Sequence, residues 1–202
     1  LIIAAGSIAS YFGDDGLKQH SFVLKTLSDA VSMRHHILRL FEKAAWSDDN
    51  AYQDALTTMV VIGGGPTGLE TAGALYELYN HVLRNEYAHL REMAARVILV
   101  EGTDTLLRPY PKHLQEQALK QLESLGVEVI LNDKIVEYAD DHIRLSTGRV
   151  INTHTVVWSA GVEASPLAKM LDVPLQKAGR VPVKPTMGVI GRDNVYVVGD
   201  MS

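Results

Sequence analysis

Apolar positions along this chain follow two rhythms. Short, mostly apolar runs occur at Thr57 to Ile62, Arg96 to Val100, Val127 to Leu131 and Thr155 to Trp158. Runs of that length, bounded by turn residues, suit strands buried on both faces of a parallel sheet. Leu1 to Ala5 reads as a further strand, stopped by Gly6. Between the runs the period changes to that of a helix. Val31, Ile37, Leu38, Phe41, Ala44 and Ala45 share one helical face, with Ser28 or Asp29 placed to cap it and Ser47-Asp48-Asp49-Asn50 as the loop that ends it. Leu69, Ala72, Gly73, Tyr76, Leu83, Tyr87 and Leu90 predict a long helix from Thr67 to about Met93. Leu114, Ala118, Leu122 and Leu125 predict another, with Pro111 in its first turn and Gly126 closing it. From Lys134 to Ile151, short alternating runs with turns at Asp140-Asp141 and Thr147-Gly148 predict a β-meander.

Strand, helix, strand, helix, strand implies an α/β fold: a Rossmann-like, mostly parallel sheet with helices on both faces, plus the meander. Composition narrows the function. Apolar residues make up 47% and charged residues 21%, as in an ordinary globular domain. A formal net charge of -5 argues against a nucleic-acid partner, which would need a basic surface. The chain has no cysteine, so thiol chemistry and cysteine metal sites are absent from this sequence. No apolar run reaches the roughly 20 residues of a membrane-spanning helix. The chain opens and closes inside strand-like runs, as expected of a piece cut from a longer enzyme.

The chemistry concentrates at Gly63-Gly64-Gly65-Pro66-Thr67-Gly68, which matches G-x-G-x-x-G. The motif is weak alone, but here it follows a predicted strand and opens a predicted helix. In such a loop the first glycine permits the turn, the second lets backbone approach a pyrophosphate, and the third allows close helix–strand packing. Backbone N–H groups at the helix start then form an anion site. The plain alternative is a glycine-rich turn. Glu101 ends the second of these strands, where a carboxylate accepts hydrogen bonds from the adenosine ribose and repels a 2′-phosphate, favouring NAD over NADP. It lies further along than the roughly 20 residues usual for this contact, and the long helix accounts for the excess. A solvated strand-end glutamate is its alternative. Glu70, placed in the first helical turn, either complements the helix dipole or points toward the nicotinamide. The eight histidines show no metal-ligand spacing, and Trp158 reads as core.

Several segments together resemble the two-dinucleotide-domain flavoproteins, and among them the type II NADH dehydrogenases, which are NADH:quinone oxidoreductases. They are Leu1-Ile2-Ile3-Ala4-Ala5-Gly6-Ser7, Leu24-Lys25-Thr26-Leu27-Ser28-Asp29-Ala30, the glycine loop running into Leu69-Glu70, Val97 to Glu101, Val157 to Val162, Ala164 to Leu167, and Val195 to Asp200. Ala5 stands where that family usually has Thr. The resemblance implies an NAD domain inserted into an FAD domain. Residues 1–27 would be FAD-domain remnant and linker, 28–165 the NAD(H)-binding domain with its linker helix, and 166–202 the return into the FAD domain.

It also implies site roles. Gly63 to Gly68, Glu70 and Glu101 would bind NAD, with Ala160, Gly161 and Val162 lining the nicotinamide and Glu70 near its junction with the flavin. Ala5, Gly6, Gly199 and Asp200 would touch FAD. The implied reaction passes hydride from NADH to FAD and then electrons to quinone. The FAD domain's own glycine loop and the membrane- and quinone-binding portion lie outside this sequence, so the piece alone is expected to be inactive. The parent would sit peripherally on the cytoplasmic face of the membrane, and a homodimer is compatible. Two other readings stay open: a soluble FAD-dependent reductase of a ferredoxin-like acceptor, and a nucleotide-binding module without catalysis.

Overall fold

The computed structural model describes residues 1–83 and 95–202. By internal contacts the chain divides into two units, 1–13 with 161–202, and 14–160.

The larger unit is built on four parallel strands in the order β5-β4-β3-β9. They are β3 (Met59–Ile62), β4 (Val97–Val100), β5 (Glu128–Ile130) and β9 (Thr155–Trp158). Every residue of β3, β4 and β9 is buried, as the unbroken apolar runs require, and Trp158 is core. Phe22 extends the β9 edge by one bridge: its N–H donates to Val156 O, and Trp158 N–H donates back to Phe22 O. The unit's α-helices among the described residues are α1 (Asp15–His20), α2 (Leu27–Ala45), α3 (Asn50–Thr57), α4 (Pro66–Leu78) and α5 (Lys112–Leu125). The expected meander is present as β6 (Ile135–Tyr138), β7 (His142–Leu145) and β8 (Val150–Asn152), paired antiparallel.

Local chemistry moved several boundaries. α2 starts at Leu27 because Thr26 caps it: the Thr26 hydroxyl accepts Asp29 N–H, while the Asp29 carboxylate accepts Thr26 N–H. Ser28 and Asp29 therefore lie inside the helix. Met33, Ile37, Phe41 and Ala44 form its buried face, and Val31 is exposed. Phe41 and Ile37 are each worth about 1.5–3 kcal/mol of buried side chain. The supposed loop at 47–50 is short, since Asp49 caps α3 through the N–H groups of Ala51 and Tyr52. Thr57 closes that helix and does not open β3. Asp14 caps α1 in the same way.

α4 runs to Leu78 and continues as one wider, π-type turn over Tyr79–Leu83. The rest of the long helix expected to Met93, with Tyr87 and Leu90, lies outside the described residues. Pro111 is the N-cap of α5, and Leu114 is exposed while Leu119 packs on the core instead.

The smaller unit has two pairs of strands. β1 (Ile2–Ile3) runs parallel to β11 (Tyr196–Val197), and β2 (Ser7–Ala9) runs antiparallel to β10 (Val162–Ala164). Its core gathers Ala164, Ala168, Val181, Val189, Val197 and Met201. The unit breaks at 13/14 and 160/161 differ from the boundaries expected at 27/28 and 165/166. Residues 14–27 join the larger unit because Phe22 pairs with β9 and Tyr138 hydroxyl donates to the Asp14 carboxylate.

Candidate functional site

The glycine loop leaves the carboxyl end of β3, the central strand, and enters α4. It is stitched to both neighbouring strands. Gly63 N–H donates to Val100 O at 2.8 Å, and Ser159 N–H donates to Ile62 O at 2.8 Å. The Ser159 hydroxyl adds a 2.7 Å bond to the same carbonyl. Gly63 has φ 113° and lies against the backbone of Ser159 and Ala160, within 2.8 Å of any added Cβ. Only glycine meets both conditions. A methyl at Gly68 would overlap the Gly63 carbonyl oxygen, so this third glycine is required by helix–strand packing.

Gly65 is different. Its φ of -79° and ψ of 177° suit any residue, and a Cβ there would have nothing within 4 Å. Neither backbone conformation nor packing asks for glycine at this position. The space it leaves faces the start of α4, which has no side-chain cap, Pro66 as its first residue, and the N–H groups of Thr67 and Gly68 in its first turn. Such N–H groups have no intrahelical acceptor and carry the positive end of the helix dipole. The cradle therefore fits an anion brought close to backbone.

Glu101 reaches this loop directly. Its Oε2 accepts Gly64 N–H at 2.6 Å, and its Oε1 accepts both the N–H and the hydroxyl of Thr103 at 2.8 Å. A Cβ at Gly64 would fall 2.9 Å from Glu101 Cγ and 2.8 Å from Leu106. Leu107 N–H closes the far side onto Gly64 O at 2.8 Å. Glycine loop and strand-end carboxylate thus form one fixed assembly. Thr103, Leu106, Leu107 and Ser159 belong to it although the sequence reading did not single them out. Their roles come from tertiary contact, and only the position of Thr103, two residues after a strand-end acid, was visible as a signal.

Other expected site residues separate. Pro66 and Thr67 are exposed at the helix start. Glu70 is exposed, and as the fifth residue of α4 it stands past the first turn, which contains no acidic residue. Its dipole role is therefore weakened. Ala160 packs on Gly63 in the larger unit, whereas Gly161 and Val162 belong to the smaller one, where Ser10 N–H donates to Gly161 O and Val162 pairs with Ala9. In the smaller unit, β1 and β11 bring Ala5-Gly6 and Gly199-Asp200 to neighbouring strand ends. Val198 N–H donates to Ile3 O at 3.1 Å, and the Ser7 hydroxyl donates to Asp200 Oδ2 at 2.6 Å.

A single family model, described as pyridine nucleotide-disulphide oxidoreductase, matches residues 1–202. The chain belongs to that family. Its type II NADH:quinone oxidoreductase relatives include Ndh of Mycobacterium tuberculosis, 39% identical over all of this chain and 45% of that protein. NdhA of the same organism is 40% identical with the same coverage. The chain thus spans under half the length of these relatives. Among solved structures, NDH2 from Plasmodium falciparum in complex with NADH aligns with a TM-score of 0.90 over all of this chain and 43% of that one, at 21% identity. That likeness supports the fold, including the parallel sheet and its flanking helices.

Three of the histidines, which show no metal-ligand spacing in the sequence, come together in the structure. His20, His36 and His154 line one cavity of about 310 Å³ with Phe22, Leu40 and Asp140. Among the described residues no cluster could hold a metal ion. Burial pushes the His36 imidazole below its ordinary value, and its Nε2 lies 2.9 Å from His154 O. No helix of the described residues is long and apolar enough to cross a membrane.

Proposed function

We propose that this chain is the NADH-binding portion of a flavin-dependent NADH:quinone oxidoreductase. The carrying observation is the Gly65 cradle beside the Glu101 carboxylate. It leaves open a glycine-sized space that the fold itself does not need, at a helix start suited to a pyrophosphate. Glu101, held by Gly64 and Thr103, is the acceptor for the adenosine ribose hydroxyls. Ala160, Gly161 and Val162 are assigned to the nicotinamide end, with Glu70 near the junction with the flavin.

Ala5, Gly6, Gly199 and Asp200 are assigned to FAD. Two parallel strands ending side by side, one with an anchored carboxylate, fit the hydroxyl-rich part of a flavin nucleotide. The boundaries 1–27, 28–165 and 166–202 stand as the proposed division of labour. Hydride transfer is the chemistry of nicotinamide and flavin when both are bound, so this chain's residues supply binding and alignment. Quinone, a peripheral position on the cytoplasmic face of the membrane, and dimer formation belong to the same proposal for the whole protein. It draws support from the full-chain similarity to proteins named as type II NADH:quinone oxidoreductases.

The test is to follow flavin absorbance in the intact protein. NADH should bleach the flavin band within the turnover time, and added quinone should restore it. Failure of NADH to bleach a flavin-loaded protein, or bleaching that oxygen restores but quinone does not, would overturn the proposal.

A further inference from the structure

A lysine from the loop after β5 lies over the segment that follows β4. The loop 131–134 is tied to the segment after β4 by two backbone bonds, Asn132 N–H to Thr103 O at 2.9 Å and Asp133 N–H to Glu101 O at 3.2 Å. Asp133 is only 3% exposed, and its carboxylate accepts Lys134 N–H, Thr147 N–H and the hydroxyls of Ser146 and Thr147. Burial raises the carboxyl, but those donors outweigh it and hold Asp133 below the usual carboxylate range. This knot fixes the backbone from which Lys134 departs. The lysine stem then lies across Gly102: a Cβ at that glycine would sit 3.0 Å from Lys134 Cε and 3.1 Å from Cγ. No ion pair engages the Lys134 ammonium among the described residues, and the residue is exposed.

Lys134 therefore lies over the glycine that follows Glu101, and no ion pair joins the two among the described residues. Three of the positions around the Glu101 carboxylate are taken by Gly64 and Thr103. We propose that Lys134 is a specificity-determining residue for the coenzyme, a cation set to meet a 2′-phosphate on the adenosine ribose. The protein then retains measurable NADPH affinity alongside its preference for NADH. Glu101 repels the phosphate and Lys134 attracts it, so selectivity is the difference between two opposed charges. Lysine is a mobile point charge that needs no bidentate geometry to hold phosphate. Gly102 leaves room for the stem, which a Cβ there would crowd.

This inference rests on the ribose assignment of Glu101, and the experiment separates the two. Dissociation constants of NADH and NADPH would be measured for the intact wild-type protein, Glu101→Gln, Lys134→Gln, Lys134→Arg and the Glu101→Gln/Lys134→Gln double variant. Glu101→Gln should lower the NADPH-to-NADH ratio of dissociation constants by about tenfold or more. Lys134→Gln should raise that ratio by about fivefold, in the wild-type and in the Glu101→Gln background alike. Lys134→Arg should restore it. The Lys134 effect should shrink as ionic strength rises, because an exposed charge is screened. An unchanged ratio in Lys134→Gln, with Glu101→Gln still effective, overturns the lysine assignment alone. A ratio that Glu101→Gln leaves in place removes the ribose site on which both depend.

Discussion

The two strand-end clusters differ in how they are assembled. The loop Gly63 to Gly68 and its partner Glu101 sit on adjacent central strands of one sheet, locked by bonds from Val100, Ser159, Thr103 and Leu107. Ala5-Gly6 and Gly199-Asp200 meet only because two short strands, from opposite ends of the sequence, pair over two residues each. One cluster is organised by a contiguous motif and many local contacts; the other is held by contacts between distant parts of the sequence, the β1–β11 pairing, Ser165 N–H on Gly6 O and the Ser7–Asp200 bond. The first is therefore readable as a motif, whereas the second becomes visible only through family resemblance. Rigidity should follow the same order.

The largest effect that would test this contrast comes from Gly68. Gly68→Ala places a methyl on the Gly63 carbonyl oxygen and should cost about 3 kcal/mol of stability, read as a fall in denaturation midpoint. Gly65→Ala, three residues away, should leave the midpoint unchanged, since its Cβ has room. Equal losses at both glycines would erase the distinction between packing and ligand approach.

Asp133 is next. Asp133→Ala strips the acceptor from four donors and should cost about 2–3 kcal/mol. Because its folded value lies below the ordinary one, its contribution is present above about pH 4 and is lost as the pH falls through the depressed value. Acid titration of wild type against the variant should therefore converge at low pH, and curves that stay parallel would count against the assignment. In the smaller unit, Asp200→Asn should weaken flavin retention by about tenfold in a dialysis assay, with no change in NADH preference. A shift in NADH preference would show that the two clusters are not separate.

His36 gives the smallest effect. Its value is lowered by burial, so the folded state favours the neutral imidazole, and the contribution is complete above the ordinary value of about 6.5. Stability should decline as the pH falls below that point, and His36→Gln should flatten the decline. An unaltered slope would mean that His36 is not the titrating group.

Much of the larger unit was legible because its signals are local. The parallel strands are largely apolar, and β3, β4, β5 and β9 fell within the runs that suggested them. The glycine loop was legible for the same reason: six consecutive residues between a strand and a helix. Short helices were harder. Asp49 reads as part of a loop and caps α3 instead, and α1 and α3 are too brief for a helical period to reveal them. The start of α2 was displaced because Thr26 and Asp29 cap each other, a pairing that is present in the sequence but is weighed only once the helix is seen. Lys134 over Gly102, Ser159 on Ile62 and the gathering of His20, His36 and His154 depend on tertiary approach, which no spacing in the chain encodes.

The central claim is that the space left by Gly65 exists for the pyrophosphate of NADH. Titration of the intact protein with NADH by calorimetry, wild type against Gly65→Val, tests it most directly, with circular dichroism recorded on both. The account predicts a folded variant whose NADH affinity falls by roughly 100-fold or more, about 3 kcal/mol. A folded Gly65→Val protein that binds NADH as tightly as wild type would contradict it.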